Sequence, residues 1–157
     1  MTLQDDLGWT LGVVFRAYLR SASAVTEGLP GGHRGYQVLT AAARSAPGSQ
    51  SALGKQLGID RTVMTYLLDD LERAGLVERQ PAPGDRRTRH VVATAHGQKL
   101  LDDLDARLAH AEAHLLAGLP EPDRATFKSL LCRLATHANS LDPVADACAI
   151  VEELRTL

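Results

Sequence analysis

Two helix caps stand almost back to back in the middle of this chain, and they constrain the fold more than any other feature. Ser49 opens a short stretch, QSALGKQLG, with apolar marks at Ala52, Leu53 and Leu57. Gly58 closes it, and Asp60 opens the next stretch. Ser and Asp cap helices because a side-chain oxygen accepts from backbone N–H groups that have no partner inside the first turn. Glycine stops a helix because it enters the left-handed conformation without a Cβ clash. The second stretch carries Met64, Leu67, Leu68 and Leu71 at i, i+3, i+4 and i+7, the apolar face of one helix, and ends before Gly75. Residues 49–75 therefore predict helix, tight turn, helix.

The period then changes. LVERQ (76–80) and TRHVVA (88–93) have the length of strands, and PAPGDRR between them is rich in turn formers. The spacing predicts a β-hairpin with a long tip. Thr94 caps a helix expected over about 95–117, with a seam at Leu101, Leu104, Leu108 and Leu115 completed by Ala111. Upstream, Leu3, Leu7, Leu11, Val14 and Tyr18 mark a helix within 3–25, ended by EGLPGG; Val38, Leu39 and Ala42 mark another over about 33–43. Downstream, one helix is expected over about 121–140 and a last one from Pro143 to about 155. Aromatics are 4% of the chain, so Leu, Ala and Val must build the core, which favours packed helices over a β-sandwich. The expected class is mainly α with a small β-hairpin wing. It is a single unit over 1–157: a winged helix-turn-helix at about 33–94 flanked by dimerisation helices at about 3–25 and 95–157.

Such a unit attaches to DNA at two points, with the second helix in the major groove and the hairpin tip at a minor groove or backbone. The formal charge of −2 excludes a uniformly basic nucleic-acid binder, but it hides a segregation. Residues 79–90 hold Arg79, Arg86, Arg87 and Arg89 against Asp85, whereas residues 102–157 hold ten acids and five basic residues. With Met64 and its row facing inward, the free side carries Thr62, Tyr66, Asp69 and Arg73. The candidate contacts to a double-stranded DNA operator are Arg61, Thr62, Val63, Thr65 and Tyr66 on the second helix and Ser49 and Gln50 at the start of the first. Asp85, Arg86, Arg87 and Arg89 on the wing complete the set. Arg suits guanine or phosphate, and Thr offers a hydroxyl and a methyl.

LGIDRTVMTYLLDDLERAGLVER (57–79) and GDRRTRHVVATAHG (84–97) together resemble the multiple antibiotic resistance regulator (MarR) family of winged-helix repressors. The resemblance covers about residues 5–140. It implies that Arg87 enters the minor groove with Asp85 holding the tip, and that the terminal helices build an intertwined homodimer. It also implies repression of nearby genes and release from DNA by a small molecule, often an aromatic acid, or by an oxidant. Two departures stand out: Ala93 replaces a common Leu, and Tyr66 and Asp70 stand where basic residues are frequent.

The homodimer is expected to use Leu7, Leu11 and Val14 with Leu101, Leu104, Leu108 and Leu115, since a monomer would have to bury these stripes in a flat arm. Trp9, Val13, Arg16 and Arg20 share one helix face, and His33 and Tyr36 open the next helix. A ring beside a guanidinium suits an aromatic carboxylate, so Trp9, Val13, Arg16, His33 and Tyr36 are the effector candidates. His110 and His114, with Asp103 on the same face, are weak zinc candidates. Zinc-sensing relatives take further ligands where this chain has Tyr36 and Gln37, so neither metal nor cofactor is expected. Cys132 and Cys148 read as inert thiols. No Gly-rich phosphate loop or nucleophile elbow points to an enzyme. Asp69, Asp70 and Glu72 would fit a protein–protein module instead, but arginines at the wing tip call for a polyanion. No apolar run is long enough for a membrane span and the N-terminus is acidic, so a cytoplasmic protein with no membrane partner is expected.

Overall fold

The computed structural model describes residues 2–45, 48–82 and 84–140, and of Asp85, Arg86 and Arg87 the backbone only. The helix expected at 143–155 and Cys148 lie outside the described residues. The chain divides into two compact units, 1–115 and a second that begins at Leu116, a division the sequence reading does not draw.

The first unit opens with a 3-10 turn at Leu3–Asp5, so helix α1 (Leu7–Val25) starts later than the apolar stripe suggests. Asp6 sets that start: its Oδ1 accepts from the Trp9 N–H at 2.6 Å. Helix α2 (His33–Arg44) follows, then a short strand β1 (Gly48–Ser49). Helices α3 (Gln50–Leu57) and α4 (Arg61–Arg73) begin and end where the caps place them. Ser49 Oγ accepts from Ala52 N–H at 3.2 Å, Gly58 takes φ 61°, and Asp60 Oδ1 accepts from Thr62 N–H at 2.8 Å and Val63 N–H at 3.4 Å. Those backbone bonds hold the Asp60 carboxyl below its ordinary value.

Strands β2 (Val77–Ala82) and β3 (Asp85–Ala93) form the hairpin, and β1 pairs with the other side of β3, giving an antiparallel sheet in the order β1-β3-β2. The hairpin tip is shorter than expected, because β2 runs on through Pro81 and Ala82. Pro81 lacks an N–H, yet β2 is an edge strand, where a missing donor is tolerated. The irregularity is taken up by β3: Pro81 faces Arg89 and Ala82 faces Asp85, so one step on β2 spans four on β3.

The core is made of Val38, Leu39, Leu53, Ile59, Met64, Leu67, Leu68, Leu71, Leu76, Val77 and Val91. Helix α5 (Ala95–Leu115) lies over it, and this corrects the dimer reading. Leu101 and Leu104 belong to this core and Leu108 is buried as well, so these three pack within the chain itself and offer no surface to a partner. Leu115 is half-buried. Leu7, Leu11 and Val14 on α1 are exposed.

The start of α5 is fixed against the turn after α4. Thr94 N–H donates to the Leu76 carbonyl at 3.1 Å. The Thr94 hydroxyl donates to the Gly75 carbonyl at 2.6 Å and accepts from Gly97 N–H at 3.0 Å. A Cβ at residue 97 would overlap the Leu76 carbonyl oxygen and crowd Leu39 Cδ1 at 3.1 Å. The second unit holds a 3-10 turn (Leu116–Gly118) and helix α6 (Glu121–Ser140), which buries no residue. No described helix is long and apolar enough to cross a membrane.

The close approach at Gly97 gives a direct stability test. Gly97→Ala is expected to lower the unfolding free energy by about 1–3 kcal/mol in a denaturant titration. Gly118→Ala, where an added Cβ meets nothing within 4 Å, is expected to stay within about 0.5 kcal/mol of wild type.

Candidate nucleic-acid interface

The burial of Met64, Leu67, Leu68 and Leu71 turns the other side of α4 outward. Arg61, Thr62, Val63 and Tyr66 are exposed, Tyr66 at 68%, while Thr65 is half-buried at the seam with α3. Gln50 sits on the other side of that seam: its Nε2 donates to Thr65 Oγ1 at 2.6 Å, and the Thr65 hydroxyl donates to the Arg61 carbonyl at 2.9 Å. Ser49 has its hydroxyl engaged as a cap. The structure thus brings Ser49 at the end of β1, Gln50 at the start of α3, and Arg61, Thr62, Val63, Thr65 and Tyr66 on α4 onto adjoining elements.

Arg79 is not part of the free wing charge. Its Nη2 donates to Asp69 Oδ1 at 2.5 Å, its Nη1 donates to Glu72 Oε2, and its backbone N–H donates to Glu72 Oε1 at 3.1 Å. Its side chain is only 20% exposed. Burial works against the charge, but the bonds to Asp69 and Glu72 outweigh it and raise the Arg79 pKa. Asp70 pairs with Arg73 at 2.6 Å. Asp69, Asp70 and Glu72 of α4 are therefore each paired with an arginine, Asp69 and Glu72 sharing Arg79, which leaves this group of five one negative charge. Arg89 is exposed on β3 with no ion pair among the described residues. Asp85, Arg86 and Arg87 lie in β3, and their side chains are outside the described residues.

Of the effector candidates, His33 and Tyr36 come together, and Trp9, Val13 and Arg16 do not join them. His33 stacks on Tyr36 at 5.9 Å and meets the edge of Tyr18 at 5.4 Å. The Tyr36 hydroxyl donates to Asp105 Oδ1 at 2.8 Å, and Arg44 pairs with the other oxygen of Asp105. Burial pushes the His33 imidazole down, and its Nδ1 is buried with no hydrogen-bond partner among the described residues. Burial raises the Tyr36 hydroxyl, with the Asp105 bond adding to it, and burial likewise raises Tyr18. Trp9, Val13 and Arg16 stay exposed on α1. Tyr18, Arg44 and Asp105 escape the sequence reading. Tyr18 counts there only as one apolar position in a stripe, and Arg44 and Asp105 stand far apart in the chain. A cleft of about 240 Å³ opens beside this group, lined by Tyr36, Thr40, Arg44, Gln56 and Leu57.

His110 and His114 are exposed on α5, and Asp103 lies 3.8 Å from Arg107. Among the described residues, no three His, Cys, Asp or Glu side chains gather as metal ligands. Cys132 is exposed on α6, which corrects its reading as a buried thiol: α6 has no layer over it among the described residues.

A helix-turn-helix followed by a β-hairpin, with the outer face of its second helix uncovered, defines a winged-helix fold. Residues 32–88 match the sequence model of the MarR family. The fold is similar to a MarR-family transcriptional regulator from Rhodococcus sp. RHA1, at 29% identity over 86% of this chain and 97% of that one, TM-score 0.75. CouR from Rhodococcus jostii RHA1, bound to p-coumaroyl-CoA, is 29% identical over 86% and 95%, TM-score 0.73. A Mycobacterium tuberculosis MarR-family protein in complex with p-aminosalicylic acid is 26% identical over 83% and 98%, TM-score 0.67. The fold and the match over residues 32–88 make the chain similar to the MarR family of DNA-binding transcriptional regulators.

The state of His33 has a pH consequence. Its folded pKa lies below the ordinary 6.5, so folding favours the neutral ring. Its contribution is complete above about pH 6.5 and is lost as pH falls from there toward the folded value, because the unfolded chain binds the proton first. Thermal unfolding measured from pH 7.5 down to 5.5 is expected to show this loss in wild type, and His33→Phe is expected to flatten it.

Proposed function

We propose that the chain works as a homodimeric repressor on a pseudo-palindromic operator and leaves it when an aromatic acid binds. The observation that carries this reading is a pair of uncovered apolar faces. On α1, Leu7, Leu11, Val14 and Phe15 are 67%, 44%, 43% and 59% exposed. On α6, Phe127, Leu130, Leu131 and Leu134 repeat at i, i+3, i+4 and i+7, all exposed. Exposed apolar stripes of this kind mark association surfaces, and a second copy related by a two-fold axis gives each of them a partner. The same axis sets two α4 helices about one helical turn of DNA apart, roughly 34–36 Å, which fits an inverted repeat.

In this reading Arg61, Thr62, Val63, Thr65 and Tyr66 meet the major groove, and Ser49 and Gln50 support them. The wing residues Asp85, Arg86, Arg87 and Arg89 serve the minor groove, with Arg87 entering it. Occupancy of the operator excludes polymerase in the cytoplasm, where such DNA lies. The effector enters the cleft between α2 and α3, where Tyr36, backed by His33, supplies a ring and Arg44 a guanidinium. Trp9, Val13 and Arg16 line the approach on α1. One similar structure holds an aromatic acid, p-aminosalicylic acid, and another the CoA thioester of one, p-coumaroyl-CoA.

Sedimentation together with selection from random duplex DNA tests the proposal. Wild type is expected to sediment as a dimer and to enrich an inverted repeat. Phe15→Glu with Leu131→Glu is expected to give monomers that lose the operator, and Arg87→Ala to weaken binding by about 1–3 kcal/mol. A monomeric wild type, or one that enriches no repeat, overturns the proposal.

A further inference from the structure

The hydrogen bonds at the α3–α4 seam divide the work of Thr65. A threonine on a reading helix has two ways to meet DNA: its hydroxyl, for base edges or phosphate, and its methyl, for the 5-methyl of thymine. Here the hydroxyl is engaged on both sides. It donates its one proton to the Arg61 carbonyl at 2.9 Å and accepts from Gln50 Nε2 at 2.6 Å. One lone pair remains, and no proton remains to donate. Two anchors also fix χ1, so the methyl is held rather than free to rotate away. Gln50 is itself fixed at the first position of α3, just after the Ser49 cap, so the donor arrives from a rigid element.

We propose that Thr65 reads thymine through its methyl group and that Gln50 is the positioning residue that holds it in that rotamer. The proposal rests on the reading of α4 as the major-groove helix. It assigns an apolar, donor-free contact to Thr65, where the residue type alone leaves hydroxyl and methyl readout equally open. Gln50 acts through Thr65: its amide supplies the hydrogen bond that keeps the hydroxyl turned inward.

The test uses the full-length protein and the duplex it enriches from random DNA. Each thymine of one half-site is replaced in turn by deoxyuridine, which removes only the 5-methyl. At one position the replacement is expected to weaken wild type about three- to fivefold, the effect of one lost methyl contact. Thr65→Val keeps the methyl and is expected to retain that discrimination. Thr65→Ser keeps the hydroxyl and is expected to lose it, binding both duplexes alike. Gln50→Ala is expected to reduce the discrimination with its thermal unfolding close to wild type, a split that a purely structural role would not produce. The proposal is overturned if wild type and Thr65→Ser respond alike to deoxyuridine at every position, or if Thr65→Val loses the discrimination that Thr65→Ser keeps. Failure of wild type to enrich any sequence overturns the DNA-reading assignment itself, and this inference with it; the two failures are told apart at the selection step.

Discussion

The fork of Arg79 holds helix α4 against the hairpin. Its guanidinium reaches from β2 to two carboxylates on successive turns of α4, Asp69 and Glu72, while its backbone N–H bonds to Glu72 as well. Helix α4 and the hairpin are thereby tied together. The planar fork matters: two donors in fixed geometry engage two acids, which a lysine ammonium does not reproduce. The same contact offsets part of the negative charge of Asp69 and Glu72, which are 44% and 40% exposed.

A second constraint ties this pair to α5. Thr94 bonds to Gly75 and Leu76, and Gly97 lets α5 lie directly against the Leu76 carbonyl. Farther along α5, Asp105 receives Tyr36 and Arg44 from α2, and Tyr36 carries His33 and, through it, Tyr18 of α1. Three helices thus meet at one partly exposed polar and aromatic junction beside the aliphatic core.

Local chemistry was the legible part of this chain. Ser49, Gly58, Asp60 and Gly75 mark helix ends because capping depends on neighbours a few residues away, and the Met64 row identifies its own inward face. What periodicity cannot state is what covers an apolar face. The α5 seam at Leu101, Leu104 and Leu108 is covered by the chain's own core rather than by a partner, and the stripe on α6 passed without notice. Arg79 counted as wing charge because its partners lie on another element. Strand β1 has two residues, too few for any period. Tyr18, Arg44 and Asp105 needed three helices in place before they formed a group.

The claim that helix α4 and the hairpin are tied together rests on Arg79, and a mutant cycle on unfolding tests it most directly. Arg79→Met, the pair Asp69→Asn with Glu72→Gln, and the combination of all three would be compared with wild type in denaturant. Both acids are more than a third exposed, so solvent screening limits the expected coupling to about 0.5–1.5 kcal/mol. A coupling in that range, with Arg79→Met alone the most damaging variant, is the expected result. Strictly additive changes would contradict the account and return Arg79 to the wing as a free charge.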